Sequence, residues 1–206
     1  MVSETFLVNS DSGRMQAAKY VTESFAWYAK LDRKSTLRLC LLVEETLGMV
    51  KEMVQDYYGC LWFSGDEHCI EIHLEFTADM DAKKKHELLS VSSTGSNVSV
   101  RGFMGRIGEF LSSAMYNFGR AMDAYGAETM RYGIIGSGGV DTPSVYDMTP
   151  VWSLRQYRAA LENHNGDEAK AAWDELEKSI VANLADDVLV GVKGDRVELV
   201  IVKQLG

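Results

Sequence analysis

Two adjacent carboxylates, Glu44 and Glu45, interrupt the apolar run LLVEETLGMV at residues 41–50. On a helix, residues four apart lie on one face, so Glu45 and Met49 stand one above the other, with Leu41 a turn before and Glu52 near a turn after. A carboxylate set there is either a structural ion-pair partner, with Arg38 or Lys51 in reach, or a functional group. A second constellation lies in HCIEIHLEF, where Cys69, Glu71 and His73 share the strand face opposite Ile70 and Ile72. All three are zinc-binding types, but a closed site needs a fourth ligand, and simple alternation gives a polar outer face by itself. The run GSGG at 136–139 is a flexible turn and not a phosphate-binding loop, because no Gly-Lys-Ser/Thr follows. Ser137 lacks the G-x-S-x-G context of a hydrolase nucleophile.

The elements that must carry these residues are legible from periodicity. NSDSGRMQAAKYVTESFAWYAKL has polar caps at its start and Met15, Ala18, Val21, Phe25 and Tyr28 at helical spacing, which predicts a helix ending near Leu31. A second helix is expected from Asp32 or Ser35 to about Tyr58, apolar enough to be central. CLWFS, the turn GDE and CIEIHLEF predict a hairpin that buries Ile70, Ile72, Leu74 and Phe76. DAKKKHELLS reads as a short helix and SVSSTGSNVS as a loop, and RGFMGRIGEFLSSAMYNFGRAMDAYG as a third major helix. An irregular excursion over YGIIGSGGVDTPSVYDMTP leads to a helix around Val151 to Asn163. DEAKAAWDELEKSIVANLADD predicts a further helix, and DVLVGVKGDRVELVIVKQL two strands around a KGD turn. Together these describe an α+β two-layer sandwich, a mostly antiparallel sheet covered on one face by helices. One domain over 1–206 is expected, with an irregular and helical insertion at about 119–166.

Composition narrows the classes. The chain has 206 residues, 46% hydrophobic and 25% charged, with two prolines, which fits an ordered globular protein. A net charge of -9 repels phosphodiester backbones, and Lys83-Lys84-Lys85 reads as a solvated helix face, so nucleic acid is not expected as a partner. No run approaches the ~18 apolar residues of a membrane span, and the N-terminus lacks a signal-peptide pattern, so a cytoplasmic protein without membrane contact is expected. Cys40, Cys60 and Cys69 have no C-x-x-C spacing and read as reduced packing residues. Trp152, Trp173 and the tyrosines at 57, 58 and 157 read as core and interface anchors.

The stretch LRLCLLVEETLGMVKEMV resembles the nucleotide-facing helix of the GHKL superfamily of ATPases, most closely its anti-sigma-factor serine kinase branch. Glu44, Glu45, Thr46 and Leu47 match, Gly48 replaces a threonine, and Met49 stands where the family has asparagine. The resemblance implies that Glu45 is the general base. It also implies that Met49 fills the magnesium position, for which a thioether is the wrong ligand because magnesium takes hard oxygens in octahedral array. The adenine-reading aspartate would fall at Asp79 or Asp81 in ADMDAKK, although the glycines of the family turn, which let the backbone approach the base, are absent. A phosphate-cradling glycine-rich helix start would fall in TGSNVSVRGFMGRIG, at Gly95, Gly102 and Gly105. The other reading is that the glycines at 102, 105 and 108 thin one helix face for close packing. The order of elements extends the resemblance over about 9–118 and 167–203, and is also similar to a bacterial family described only as ATP-binding-like.

What the resemblance implies is a degenerate GHKL-like regulatory module that binds a protein partner, with ATP or ADP as candidate ligands and magnesium in doubt. Efficient phosphoryl transfer is not expected, since it depends on a metal bridging the phosphates. A homodimer is a further option for the partner. The alternative is an active ATP-dependent serine kinase or ATPase with Glu45 as base, and a third reading is an interaction domain with no nucleotide at all.

Overall fold

A computed structural model of the chain describes residues 1–54, 56–77, 107, 108, 110, 111, 151–163, 166–193 and 195–205. Strand β1 (Phe6–Asn9) leads into α1 (Ser12–Tyr28) and α2 (Arg33–Val54), followed by the hairpin β2 (Tyr58–Gly65) and β3 (Cys69–Thr77). After helical positions at 107, 108, 110 and 111 come β4 (Val151–Ser153), α3 (Leu154–Glu162), α4 (Asp167–Lys178) and α5 (Ile180–Leu184). The chain closes with β5 (Asp187–Lys193) and β6 (Arg196–Gln204). The six strands form one antiparallel sheet in the order β1-β2-β3-β6-β5-β4. Sheet and helices therefore make the α+β sandwich expected from the sequence.

Register explains which side the helices take. Leu61 pairs with Leu74, Phe63 with Ile72, Leu74 with Leu199 and Ile72 with Ile201, so one face is apolar across four strands. The helices bury that face: Phe25 of α1 stacks on Phe63 at 4.7 Å, and Leu42, Val43, Leu47 and Val50 of α2 are fully buried in the same cluster. Ile107 and Leu111 join the cluster; apart from residues 107, 108, 110 and 111, the third major helix expected from periodicity lies outside the described residues.

Four boundaries differ from expectation, each for a local reason. α2 stops at Val54 rather than near Tyr58, because Tyr58 is already paired to Thr77 in β2. Residues 151–153 form an edge strand instead of a helix start, with Trp152 paired to Val190; the helix begins after Ser153, whose hydroxyl accepts from Gln156 N. The expected helix from Asp167 breaks at Ser179, an extended residue (φ -81, ψ 119) that caps α5. β1 has no forecast in the sequence; it is four residues long and pairs Phe6 with Leu61.

A close approach constrains the open end of the hairpin. A Cβ at Gly59 would lie 2.3 Å from the Glu75 carbonyl oxygen and 2.9 Å from Phe76 Cβ, so only glycine fits where β2 and β3 begin to pair.

Candidate functional site

The capping of α2 sets its rotation. Asp32 Oδ1 accepts from Ser35 N at 2.6 Å, and this hydrogen bond chiefly holds the Asp32 carboxyl below the usual range. The buried side of the helix runs through Leu39, Leu42, Val43, Thr46, Leu47 and Val50, with the Thr46 hydroxyl donating back to the Leu42 carbonyl at 2.6 Å. The outward strip is Leu37, Leu41, Glu45, Gly48 and Glu52, one residue per turn. At Gly48 a Cβ would meet nothing within 4 Å.

Glu44 is exposed and Glu45 half-buried, and neither forms an ion pair among the described residues. The structural reading of the pair, with Arg38 or Lys51 as partner, thus finds no support. Met49 is 6% exposed and belongs to the hydrophobic core. A buried thioether among aliphatic side chains offers no hard oxygen, so the residues at this position do not fit magnesium. Asp79, Asp81, Gly95, Gly102 and Gly105 lie outside the described residues, as do Phe103 and Met104. Of the glycine series, Gly108 is described, and a Cβ there meets nothing within 4 Å among the described residues.

The other sheet face carries the constellation around His73. His73 Nε2 lies 2.9 Å from Ser64 Oγ and 3.3 Å from Glu71 Oε2, its Nδ1 lies 3.5 Å from Glu198 Oε1, and Trp62 stacks on the ring at 4.9 Å. His73 and Glu198 are 6% and 1% exposed, so the centre of this polar face is buried, which alternation alone did not indicate. Cys69 stands apart, its sulfur accepting from Gln204 Nε2 at 3.6 Å. The two carboxylates address opposite ring nitrogens and cannot ligate one ion together with the imidazole. Among the described residues no cluster of three or more His, Cys, Asp or Glu is placed to hold a metal.

Two features have no counterpart in the sequence reading. An open cavity of about 360 Å³ lies between the β1 edge and the ends of β2 and β3, lined by Asn9, Arg14, Tyr58, Glu75 and Thr77 among others. Neither Glu45 nor Met49 lines it. Buried Asp187 accepts from Ser153 Oγ at 3.0 Å and from Arg155 N at 3.0 Å, tying the edge strand and α3 to β5. Nothing local in the sequence marks the second, because the contact joins residues 34 apart in the chain.

Cys40, Cys60 and Cys69 are free thiols, and burial pushes the Cys40 thiol above its ordinary range. Among the described residues no helix is long and apolar enough to cross a membrane. No protein-family model and no curated protein matches the chain.

Proposed function

We propose that this chain is a degenerate GHKL-like regulatory module that binds a protein partner, and that any nucleotide it holds is held without magnesium and without efficient phosphoryl transfer. The observation that carries this reading is Met49. It lies one turn beyond Glu45 on α2, 6% exposed and packed into the core, where a magnesium-dependent kinase of this type needs a carboxamide oxygen directed at the ion. A change of rotamer would not repair the site, because the side chain has no oxygen to offer.

Glu45 supports the alternative, an active ATP-dependent serine kinase or ATPase, to the extent that it is half-buried and carries no ion pair among the described residues. The two readings separate on Glu45→Ala. Under the regulatory reading the variant folds and retains partner binding. Under the kinase reading phosphoryl transfer from ATP, followed with a γ-labelled nucleotide, collapses while the fold survives.

A further inference from the structure

The corner joining α1 to α2 places two of its cations, Arg33 and Lys34, where helix physics does not favour them. α1 ends in a tight left-handed turn in which Lys30 N donates to the Trp27 carbonyl at 3.0 Å and Leu31 N to the Ala26 carbonyl at 2.9 Å. Lys30 occupies the left-handed position with φ 55, the only described non-glycine residue with positive φ. Glycine is the usual occupant of that position, since it has no Cβ to strain. Three residues on, α2 starts with Arg33 and Lys34 and has no acidic residue in its first turn. The positive end of a helix dipole favours carboxylates and disfavours cations. Arg38 adds a fourth positive charge one turn later, and all four side chains are exposed. None of the four forms an ion pair among the described residues.

Large apolar side chains stand among these charges. Trp27 is 84% exposed, Tyr28 70%, Tyr20 63% and Leu37 60%. Tyr20 and Trp27, seven residues apart, share the α1 face opposite buried Ala18, Thr22, Phe25 and Ala26. Leu37 and Leu41 lie on the outward strip of α2. Exposed aromatic side chains on a corner where cations outnumber the one carboxylate, Asp32, are the composition of a recognition surface.

We propose that the α1–α2 corner, Trp27, Tyr28, Lys30, Arg33, Lys34, Leu37 and Arg38, docks an acidic protein segment that carries apolar anchor residues. The charge complementarity is local: four cations stand against the single carboxylate of residues 27–38, Asp32, in a chain of net charge -9. An acidic segment meets the cations, while its apolar residues cover Trp27 and Leu37. This deepens the regulatory reading by naming the chemistry of the partner, and it rests on that reading. Failure of the two is distinguishable, because nucleotide calorimetry reads the Glu45 to Gly48 part of α2 and the corner lies two to three turns before it.

The test is selection of a random peptide display library on the full chain, followed by fluorescence anisotropy of the recovered peptides as labelled synthetic probes. The expected result is enrichment of peptides combining Asp or Glu with aromatic or aliphatic residues, and binding that weakens with added salt. Arg33→Glu with Arg38→Glu should reduce affinity at least about tenfold. Lys30→Gly gives the reading that a folding defect cannot mimic: the protein becomes no less stable, yet binds the peptide more weakly. Recovery of peptides without acidic enrichment, or of none, overturns the proposal. So does tighter binding of a single-stranded oligonucleotide or of phosphatidylglycerol vesicles than of any peptide.

Discussion

Met49 and Gly48 are adjacent, yet packing accounts for one and not the other. Met49 fills core volume, while the space beside Gly48 is open to 4 Å. A helix-interior glycine costs about 1 kcal/mol relative to alanine. Gly48→Ala should therefore raise the urea-unfolding free energy by about that amount; a loss of stability would mean that the space beside Gly48 is filled. Tyr57 offers a pH test. Its ring is 1% exposed, its hydroxyl has no hydrogen-bond partner, and burial pushes its pKa up to about 12 from 10. The folded state holds the phenol proton more tightly than the unfolded chain does. Tyr57 thus contributes nothing pH-dependent below pH 10, and stability falls as pH rises from about 10 to about 12. Tyr57→Phe should lose that alkaline slope and, at neutral pH, cost little, since no hydrogen bond is broken; an unchanged slope in thermal melts from pH 9 upward would contradict the assignment.

Among the elements, the hairpin β2–β3 and strand β6 carry both the apolar face and the buried polar face of the sheet. Gly59 permits the close approach of β2 to β3, so Gly59→Ala should destabilise the protein by more than about 2 kcal/mol, by overpacking against the Glu75 backbone. Intact stability would mean that the hairpin can shift. On the other face Glu198 Oε2 is buried without a hydrogen-bond partner, and His73 faces its Oε1 at 3.5 Å. Removing the imidazole leaves a buried carboxylate less well compensated, so His73→Leu should cost about 3 kcal/mol in denaturant unfolding. A cost below about 1 kcal/mol would assign the contact no structural role.

For the molecule as a whole, the two hairpins and the covered face of β3 were legible because turn residues and the alternation in CIEIHLEF are local properties, the latter with a period of two. What escaped was non-local. β1 and β4 are short, at four and three residues, and exist because Leu61 and Val190 offer paired edges far away in sequence. The burial of His73 and Glu198 has the same origin, since their strands are 125 residues apart in the chain. Of the candidate site, the helix α2 was legible; on it Glu45 is half-buried with no ion pair among the described residues, and Met49 is packed. Asp79, Asp81 and the glycines at 95, 102 and 105 are connected to it only by the resemblance. Lys30, Arg33 and Trp27 drew no attention in the sequence because each is ordinary by type. Their interest is positional: a left-handed turn, a helix start and an exposed face.

The decisive measurement is isothermal titration calorimetry of the purified chain with ATP and with ADP, run in magnesium and again in EDTA. With a buried methionine where the ion would be held, the heats should be the same in both buffers, whether nucleotide binds or not. Micromolar binding that requires magnesium would contradict the regulatory reading and restore an active kinase or ATPase with Glu45 as its base.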